Sequence, residues 1–449
     1  MPPILIICPI DVQRSWIDKI GQQYPNTSIE VMGRKPADRE EFVNSLQLGT
    51  TFWYIMHWAG VRIMADKFNE AGIVFGTIIA DEVHNISNHK QRKVTDATTG
   101  KVSYVPVNQT RKALTTLRTY TKIGISGTPS GDKPEGLYGV LNWIDPKRWK
   151  SYWSFVGKYI ETEVVDGYQK LVGPKNEKLL HWTISPYYVR HLKDRQCCEH
   201  HPNGVMPWLP PKVHKYVYVD LNTKQRRAYD QMFNILVAWV GEQEEDAIIA
   251  PVAIAQLIRL GQFCLATPVV EQITKQVKIE DDLYEKSYEL VNLELPSSKY
   301  DALLHILESN PDVAPVVFTT SKKMAYLVSE ALKGSGISNA VLSGDTDKGI
   351  RQTLVDQFVS GKFRVFIGVI AAMAEGVDGL QKRSSTAIFI DRHRSSIKNQ
   401  QAEDRLHRGG QLNSTTIIDI VANDTIDEYW VFDRLPAKLK AISAILGDN

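Results

Sequence analysis

The stretch Gly76-Thr77-Ile78-Ile79-Ala80-Asp81-Glu82, running on through Val83 to His84, decides how this chain is read. An apolar, β-branched run (Ile73, Val74, Phe75, Ile78, Ile79) stops at two adjacent carboxylates. That is the pattern of a buried parallel strand whose carboxyl end delivers Asp81 and Glu82 to a ligand crevice. In nucleotide-hydrolysing enzymes the first such carboxylate holds Mg²⁺, usually through water, and the second orients or deprotonates the attacking water. A strand ending in a solvated acidic turn has the same local sequence. The surroundings have to decide.

Upstream, strand-like and helix-like pieces alternate. Ile4 to Cys8 is a short apolar strand stopped by Pro9, and Val12 to Tyr24 carries helical spacing through Val12, Trp16 and Ile20. Ser28 to Met32 reads as extended, Ala37 to Leu48 as helix, Phe52 to His57 as extended and Gly60 to Asn69 as helix. This is the βαβ rhythm of a parallel α/β sheet. Downstream, the polar stretch Lys90 to Asn108 reads as a surface hairpin insertion. The strand Lys122 to Ser126 then runs into the turn Gly127-Thr128-Pro129. From Trp143 to about Val205 aromatic residues are dense and the rhythm stops, with Asp166-Gly167 marking a hairpin. After Leu209-Pro210-Pro211-Lys212 come a strand (Val213 to Leu221) and helices over Thr223 to Gln243 and Ala253 to Leu265. A second α/β unit follows, with a helix over Lys299 to Ser309 and strands at Pro315–Thr319, Ala340–Leu342, Arg364–Gly368 and Thr386–Ile390.

The bulk properties agree with a large globular protein. At 449 residues the chain should hold two or three domains, and 43% hydrophobic with 23% charged residues is ordinary for one. A formal net charge of +2 leaves any nucleic-acid surface to local patches. Four cysteines without a framework spacing point to a reducing compartment, and no apolar run approaches a membrane span. A cytoplasmic setting is expected.

The second half carries the strongest motif. Gln401-Ala402-Glu403-Asp404-Arg405-Leu406-His407-Arg408-Gly409-Gly410-Gln411 places Gln401, Arg405 and Arg408 at helical i, i+4, i+7 spacing, on one face. Paired arginines suit phosphate oxygens, and one of them can stabilise charge on a transferring γ-phosphoryl group. An exposed, salt-bridged helix would show the same charge pattern.

This segment resembles the last helicase motif of the Swi/Snf family of superfamily-two DNA translocases, and the resemblance extends in order across nearly the whole chain. Ile6-Ile7-Cys8-Pro9 with Trp16 is similar to motif Ia, and Asp81-Glu82-Val83-His84 to the Walker B motif. Ser126-Gly127-Thr128-Pro129, followed by Leu137-Tyr138-Gly139-Val140-Leu141, resembles motif III. Arg190, Lys193, Leu209 to Lys212 and Gln225 to Tyr229 resemble the crossover into the second lobe, and Gln256 to Leu260 its helical insertion. Val317-Phe318-Thr319 resembles motif IV, Ser343-Gly344-Asp345-Thr346 with Arg351 and Phe358 the segment after it, and Ala374 to Leu380 motif V. Motif V reads AEGVDGL in place of the usual AGGxGLN.

The resemblance implies an α/β fold of two RecA-like parallel-sheet lobes with helical insertions. Residues 1–145 would form the first lobe, 146–205 a helical insertion and linker, and 206–449 the second lobe. The last would include a helical insertion at about 222–295 and a C-terminal brace helix at about 424–446. The implied activity is ATP-driven translocation along double-stranded or branched DNA. By resemblance Asp81 binds Mg²⁺, Glu82 positions water, and Gln401, Gly376, Asp378, Arg405 and Arg408 complete the ATP site. His84, Thr128, Pro9, Thr319, Ser343, Gly344 and Arg351 couple it to DNA. The absence of bromodomain-like, SANT-like or finger segments makes the expected protein a compact prokaryotic or viral translocase acting in branch migration, annealing or protein displacement.

One expected part is missing from the sequence. No GxxxxGK[ST] or GxGK[ST] occurs, and the nearest fragment, Thr99-Gly100-Lys101-Val102, lies in the polar insertion. The strand that feeds such a loop should lie centrally in the first sheet, so that lobe is expected to be incomplete by itself. A separate N-terminal polypeptide carrying the loop is one way to complete it. A non-hydrolysing DNA-binding module is the rival expectation.

Among weaker signals, Cys197-Cys198-Glu199-His200-His201 lacks a zinc spacing, and Cys8 and Cys264 read as core thiols. The aromatics from Trp143 to Tyr159 read as packing rather than base stacking, and Arg111, Lys112 and Arg118 as a solvated helix face.

Overall fold

The computed structural model of the chain describes residues 2–88, 91–95, 102–165, 168–193, 200–241, 249–279, 282–373 and 377–446. The chain divides into two compact units, residues 1–190 with 438–449, and residues 191–437. No described helix is long and apolar enough to cross a membrane.

The first unit is a doubly covered parallel sheet. Its strands are β1 (Ile4–Cys8), β2 (Ile29–Val31), β3 (Trp53–His57) and β4 (Phe75–Asp81). The helices between them are α1 (Gln13–Gln23), α2 (Pro36–Leu48) and α3 (Trp58–Glu70). Each boundary has a local cause: Pro36 opens α2, where its missing N–H costs nothing, and Gly49 closes it in the left-handed conformation. The acidic strand leads to the expected surface hairpin, β5 (Gln91–Thr95) with β6 (Val102–Pro106), then α4 (Gln109–Thr116) and β7 (Thr119–Ile125). The sheet order is β2-β3-β1-β4-β7, and every pairing is parallel.

Leu5, Ile7, Tyr54, Met56, Ile78 and Ala80 point to one face, where Phe42, Phe68 and Trp143 close the core. Ile6, Cys8 and Ile55 point to the other face, covered by α1 through Ile20. That second cover stops short of β7. Ile123 and Ile125, on that face of the strand, are 43% and 41% exposed. In a parallel sheet such residues are normally buried on both sides. The sheet has no gap in its middle, where a missing strand was expected: β1, β4 and β7 pair directly, and β7 is an edge strand.

The aromatic region belongs to this unit and is packing, as its sequence suggests. It comprises α5 (Leu137–Ile144), α6 (Tyr152–Tyr159), the hairpin β8 (Ile160–Val165) with β9 (Tyr168–Pro174), and α7 (Glu177–Ile184). Trp149, Phe155 and Tyr159 are buried together with Ile442, Ile445 and Leu446 from the end of the chain. Arg111 is no solvated residue: it donates to Asn142 Oδ1 at 2.6 Å and lies over the Tyr138 ring. Arg118 is tied to the Asn69 carbonyl.

The second unit is built on a six-stranded sheet, β10 (Lys212–Val219), β13 (Val316–Thr319), β14 (Asn339–Leu342), β15 (Val365–Val369), β16 (Thr386–Phe389) and β17 (Thr415–Ala422). Its order is β10-β17-β16-β13-β15-β14, again wholly parallel. The helices are α8 (Thr223–Gly241), α9 (Ile249–Leu265), α10 (Ser298–Ser309), α11 (Lys322–Gly334), α12 (Lys348–Val359), α13 (Ile370–Met373), α14 (Ser396–Glu403) and α15 (Ile426–Tyr429), while α16 (Leu435–Leu446) belongs from Lys438 onward to the first unit. Strands β13 and β15 are buried throughout, as apolar parallel strands must be.

The stretch 222–295, read as helical, contains α8 and α9 and then a long antiparallel hairpin, β11 (Thr267–Ile279) with β12 (Asp282–Glu294). In sequence its charged residues occupy odd and even positions alike and Ile279 to Asp282 contain no glycine, so neither alternation nor a turn signature announces it. Cys8 and Cys264 are buried thiols, each pushed up to about 12 by burial. The Cys197-Cys198 run lies outside the described residues.

Candidate active site

The carboxyl end of β4 gathers the acidic pair and its partners. Asp81 Oδ2 accepts from the Trp16 indole N–H at 2.9 Å, and Oδ1 from the Glu82 amide at 3.0 Å. The Asp81 carbonyl accepts from the Trp58 indole at 2.9 Å. Burial raises the Asp81 pKa above the usual carboxylate range and the neighbouring Glu82 adds to this, while the Trp16 hydrogen bond opposes it. A carboxylate short of compensating charge at a strand end is a natural cation ligand.

Glu82 leaves the strand in the left-handed conformation, with φ 54 and ψ 49. A side chain pays of order 1–2 kcal/mol for that backbone. Here the twist brings its carboxylate Oε2 to 3.1 Å from His84 Nδ1. The same ring nitrogen is 3.1 Å from Ser126 Oγ, just beyond β7, and that hydroxyl accepts from the Thr128 amide at 3.1 Å. Asp81, Glu82, His84 and Thr128, all predicted from sequence, are thus brought together. Gly139 seats α5 against this loop: a Cβ there would lie 2.4 Å from the Ile86 carbonyl oxygen. Pro9 sits half-buried after β1, its carbonyl accepting from the Val12 amide.

In the second unit, α14 ends at Glu403, so Gln401 is helical while Arg405 and Arg408 lie in the turn beyond it. The single face through all three is not formed. Instead both arginines meet one loop: Arg405 donates to the Val377 carbonyl at 2.8 Å, and Arg408 lies 2.9 Å from Asp378 Oδ1. Gly376 falls outside the described residues.

The helix stops there because its end is held by a buried charge network. Arg392 is 2.5 Å from Glu403 and 2.8 Å from Asp419, and its guanidinium sits 3.7 Å over the Phe389 ring. Lys212 joins Glu403 at 2.9 Å, and Lys193 joins Asp404 at 2.8 Å. Burial opposes ionisation of Glu403, but Arg392 and Lys212 overcome it and hold the carboxyl at about 2. His407 is buried against the Pro210 carbonyl at 2.9 Å, and burial lowers its pKa.

Three of the residues expected to couple the site to DNA are buried. Thr319 and Ser343 are 0% exposed and Arg351 is 5% exposed. Thr319 donates to the half-buried Asp391 at 2.6 Å, Ser343 shares a hydrogen bond with Tyr326, and Arg351 reaches the Ala372 carbonyl. They shape the loops at the carboxyl ends of the strands, while Gly344 stands open to solvent. Sequence reasoning missed the Trp16–Asp81 bond and the roles of Trp58 and Arg392. Trp16 was legible as a member of an apolar helix face and of the motif Ia resemblance, but neither announced its bond to Asp81, and a single arginine announces no partners.

Comparisons with known proteins bear on both units. Residues 1–266 match the SNF2-related domain and residues 298–410 the Helicase conserved C-terminal domain. The chain belongs to the SNF2-related family. It is 23% identical to the transcription regulatory protein SNF2 of Saccharomyces cerevisiae over 475 residues, covering 100% of this chain and 25% of that protein. It is 23% identical to the human DNA annealing helicase and endonuclease ZRANB3, covering 95% of this chain and 34% of that protein. This SNF2-related chain therefore spans about a quarter to a third of the length of these relatives. A solved structure titled Sulfolobus solfataricus SWI2/SNF2 ATPase core in complex with dsDNA aligns over 99% of this chain and 83% of its own at 18% identity. Its TM-score of 0.40 is too low to bear on the fold.

Proposed function

We propose that residues 1–449 are the working body of an ATP-driven motor that moves along double-stranded or branched DNA without separating its strands. The observation that carries this reading is the cluster at the end of β4, where Asp81, the strained Glu82, His84 and Ser126 converge. In this reading Asp81 holds Mg²⁺ and Glu82 positions the attacking water. His84 and Thr128 relay the state of the site to DNA, with Pro9 and Gly344 on the DNA side. Arg405 and Arg408, with Gln401, Gly376 and Asp378, supply the second half-site, an arginine there stabilising charge on the transferring phosphoryl group.

The residues present fit a divalent cation, since Asp81 keeps lone pairs beyond its two hydrogen bonds and its raised pKa marks an unmet charge. They do not fit a triphosphate, because the glycine-rich cradle with its lysine is absent from residues 1–449. Polypeptide outside these residues supplies that cradle, on a strand that adds to the outer edge of β7. Support comes from β7 itself. It ends the sheet, its apolar side chains are exposed, and its last residue, Ile125, pairs with Asp81. A parallel strand added there would deliver its following loop beside Asp81.

The test is ATP hydrolysis with and without duplex DNA. Residues 1–449 alone should not exceed the Glu82→Gln control, because each lost charge-assisted hydrogen bond to phosphate is worth roughly 1.5–3 kcal/mol. Supplying a strand followed by GxGKT, in cis or as a separate chain, should restore DNA-stimulated hydrolysis that Glu82→Gln abolishes. Robust Glu82-dependent turnover without it would show that other residues cradle the phosphates. The missing cradle also favours one rival, a DNA-binding module that never hydrolyses ATP. Salt-sensitive DNA binding with no turnover after the segment is added would establish that rival.

A further inference from the structure

A concave site lies within the unit formed by residues 191–437, and it shares no lining residue with the cluster around Arg405 and Arg408. Helices α8 and α9, strand β10 and helix α15 enclose a cavity of about 890 Å³. Two aromatic stacks form its walls. Tyr218 lies over Phe432 at 5.9 Å and 22°, and Tyr229 over Phe233 at 6.2 Å and 11°. Leu257, Leu260 and Ile426 make the floor apolar. Four carboxylates, Asp230, Asp424, Glu428 and Asp433, also line it, and among the described residues the lining contains no lysine, arginine or histidine.

Several independent features make this a binding surface rather than an unfilled corner. Tyr218 and Phe233 are 52% and 45% exposed although they line a concavity, a costly arrangement for a surface with no occupant. The backbone carrying Phe432 and Asp433 is wound as a π-helical turn over Trp430–Arg434, a local irregularity that is frequent at functional sites. The rim also shows what such a lining attracts. Arg226 places its guanidinium 5.7 Å from the Tyr229 ring centre and 3.7 Å from Asp230. Arg226 also donates to the Asp424 carbonyl at 3.1 Å, and the Glu428 carboxylate accepts from the Asp424 amide at 3.0 Å. Among the described residues Asp230 alone of the four carboxylates has an ion pair.

We propose that this cavity docks a lysine- or arginine-bearing segment of a partner polypeptide. Ammonium or guanidinium groups would sit over the aromatic faces and beside the carboxylates, with their aliphatic stems on the apolar floor. A nucleic-acid occupant is disfavoured, because its phosphates would face three carboxylates without an ion pair. A free polyamine matches the charge but leaves the apolar floor and most of the volume unused. This site stands independently of the motor reading above.

The experiment uses the full chain and a fluorescein-labelled dodecapeptide of alternating lysine and glycine, followed by anisotropy at physiological salt. The double substitution Glu428→Gln with Asp433→Asn should weaken binding at least about fivefold, and Phe432→Ala should do likewise. Glu330→Gln, on the exposed face of α11, should leave it unchanged. The two polar substitutions replace charge with shape at the surface, so they remain informative should Phe432→Ala disturb folding. Equal loss in Glu330→Gln and the cavity variants would overturn the proposal, as would no binding at all. It would also be overturned by spermidine outcompeting the peptide, by duplex DNA binding that is lost in Phe432→Ala, or by a self-association lost in that variant.

Discussion

The Trp16 indole N–H donates to Asp81 Oδ2 at 2.9 Å, joining residues 65 apart in sequence. With Trp58 holding the carbonyl of the same aspartate at 2.9 Å, two tryptophans fix the carboxylate that ends the acidic strand. A carboxylate so held needs little reorganisation to meet a cation, which is how preorganised sites work.

Trp16→Phe keeps the ring against α1's apolar neighbours and removes only the donor. A hydrogen bond to a charged group is worth about 1.5–3 kcal/mol, so urea denaturation of the first unit at neutral pH should show a loss of that order. An unchanged midpoint would mean that the bond adds nothing to stability.

Asp81→Asn should raise the melting temperature of the ligand-free chain. The Asp81 pKa is raised above its unfolded value, chiefly by burial, so its contribution favours the protonated form. That stability is present at low pH and is lost as pH rises through the folded pKa. Removing the charge removes the loss at neutral pH, and Mg²⁺ should stabilise wild type more than the variant. Scanning calorimetry with and without Mg²⁺ reads both effects, and a lowered melting temperature would contradict the account.

Thr121→Pro separates the sheet's own stability from what adds to it. The Phe75 amide donates to the Arg118 carbonyl, so in this parallel ladder residues 119, 121, 123 and 125 of β7 point their backbone groups outward. Consistently, the Thr121 carbonyl accepts from the Thr119 hydroxyl at 2.9 Å. Proline at an outward edge position is tolerated within a sheet but cannot pair with a further strand. Thr121→Pro should fold and bind DNA normally while resisting activation by the supplied cradle segment. Full activation would place that segment elsewhere.

The second unit should lose stability in acid through Glu403. Its carboxyl falls from an ordinary 4.5 to about 2, a depression worth roughly 3 kcal/mol. Because the folded pKa is the lower one, this stability is complete above pH 4.5 and drains away as pH falls towards 2. Glu403→Gln should destabilise by about 3–5 kcal/mol at neutral pH, by stranding Arg392, and should flatten the acid limb. An acid limb identical to wild type would assign the loss to other carboxylates.

Arg408→Ala should lower turnover of the completed enzyme by orders of magnitude, with nucleotide affinity changed less than about tenfold. Its ion pair with Asp378 is partly exposed, at 37% and 66% for the two side chains. Such pairs are worth about 0.2–1 kcal/mol, so the arginine is free to leave it. Lysine should rescue poorly for want of the planar two-pronged donor. Near-normal turnover in Arg408→Ala would move the role to Arg405.

The sequence by itself determined the parallel α/β character of both units, the strand that ends in Asp81 and Glu82, and the collinear motifs that mark the family. These are legible because apolar runs of strand length, helical spacing and breaker residues are local signals. Tertiary structure alone decided where the cover of the first sheet stops, since strand order depends on pairing between distant segments. It also decided that α14 ends before its arginines, because the buried network of Arg392, Glu403 and Lys212 competes with the helix for that turn. Thr319, Ser343 and Arg351 show the same division: their residue types suit phosphate contact, but burial, which no local pattern reports, gives their hydrogen bonds to the protein interior. The aromatic and acidic cavity is the extreme case, assembled from residues 218 to 433 that only folding brings together.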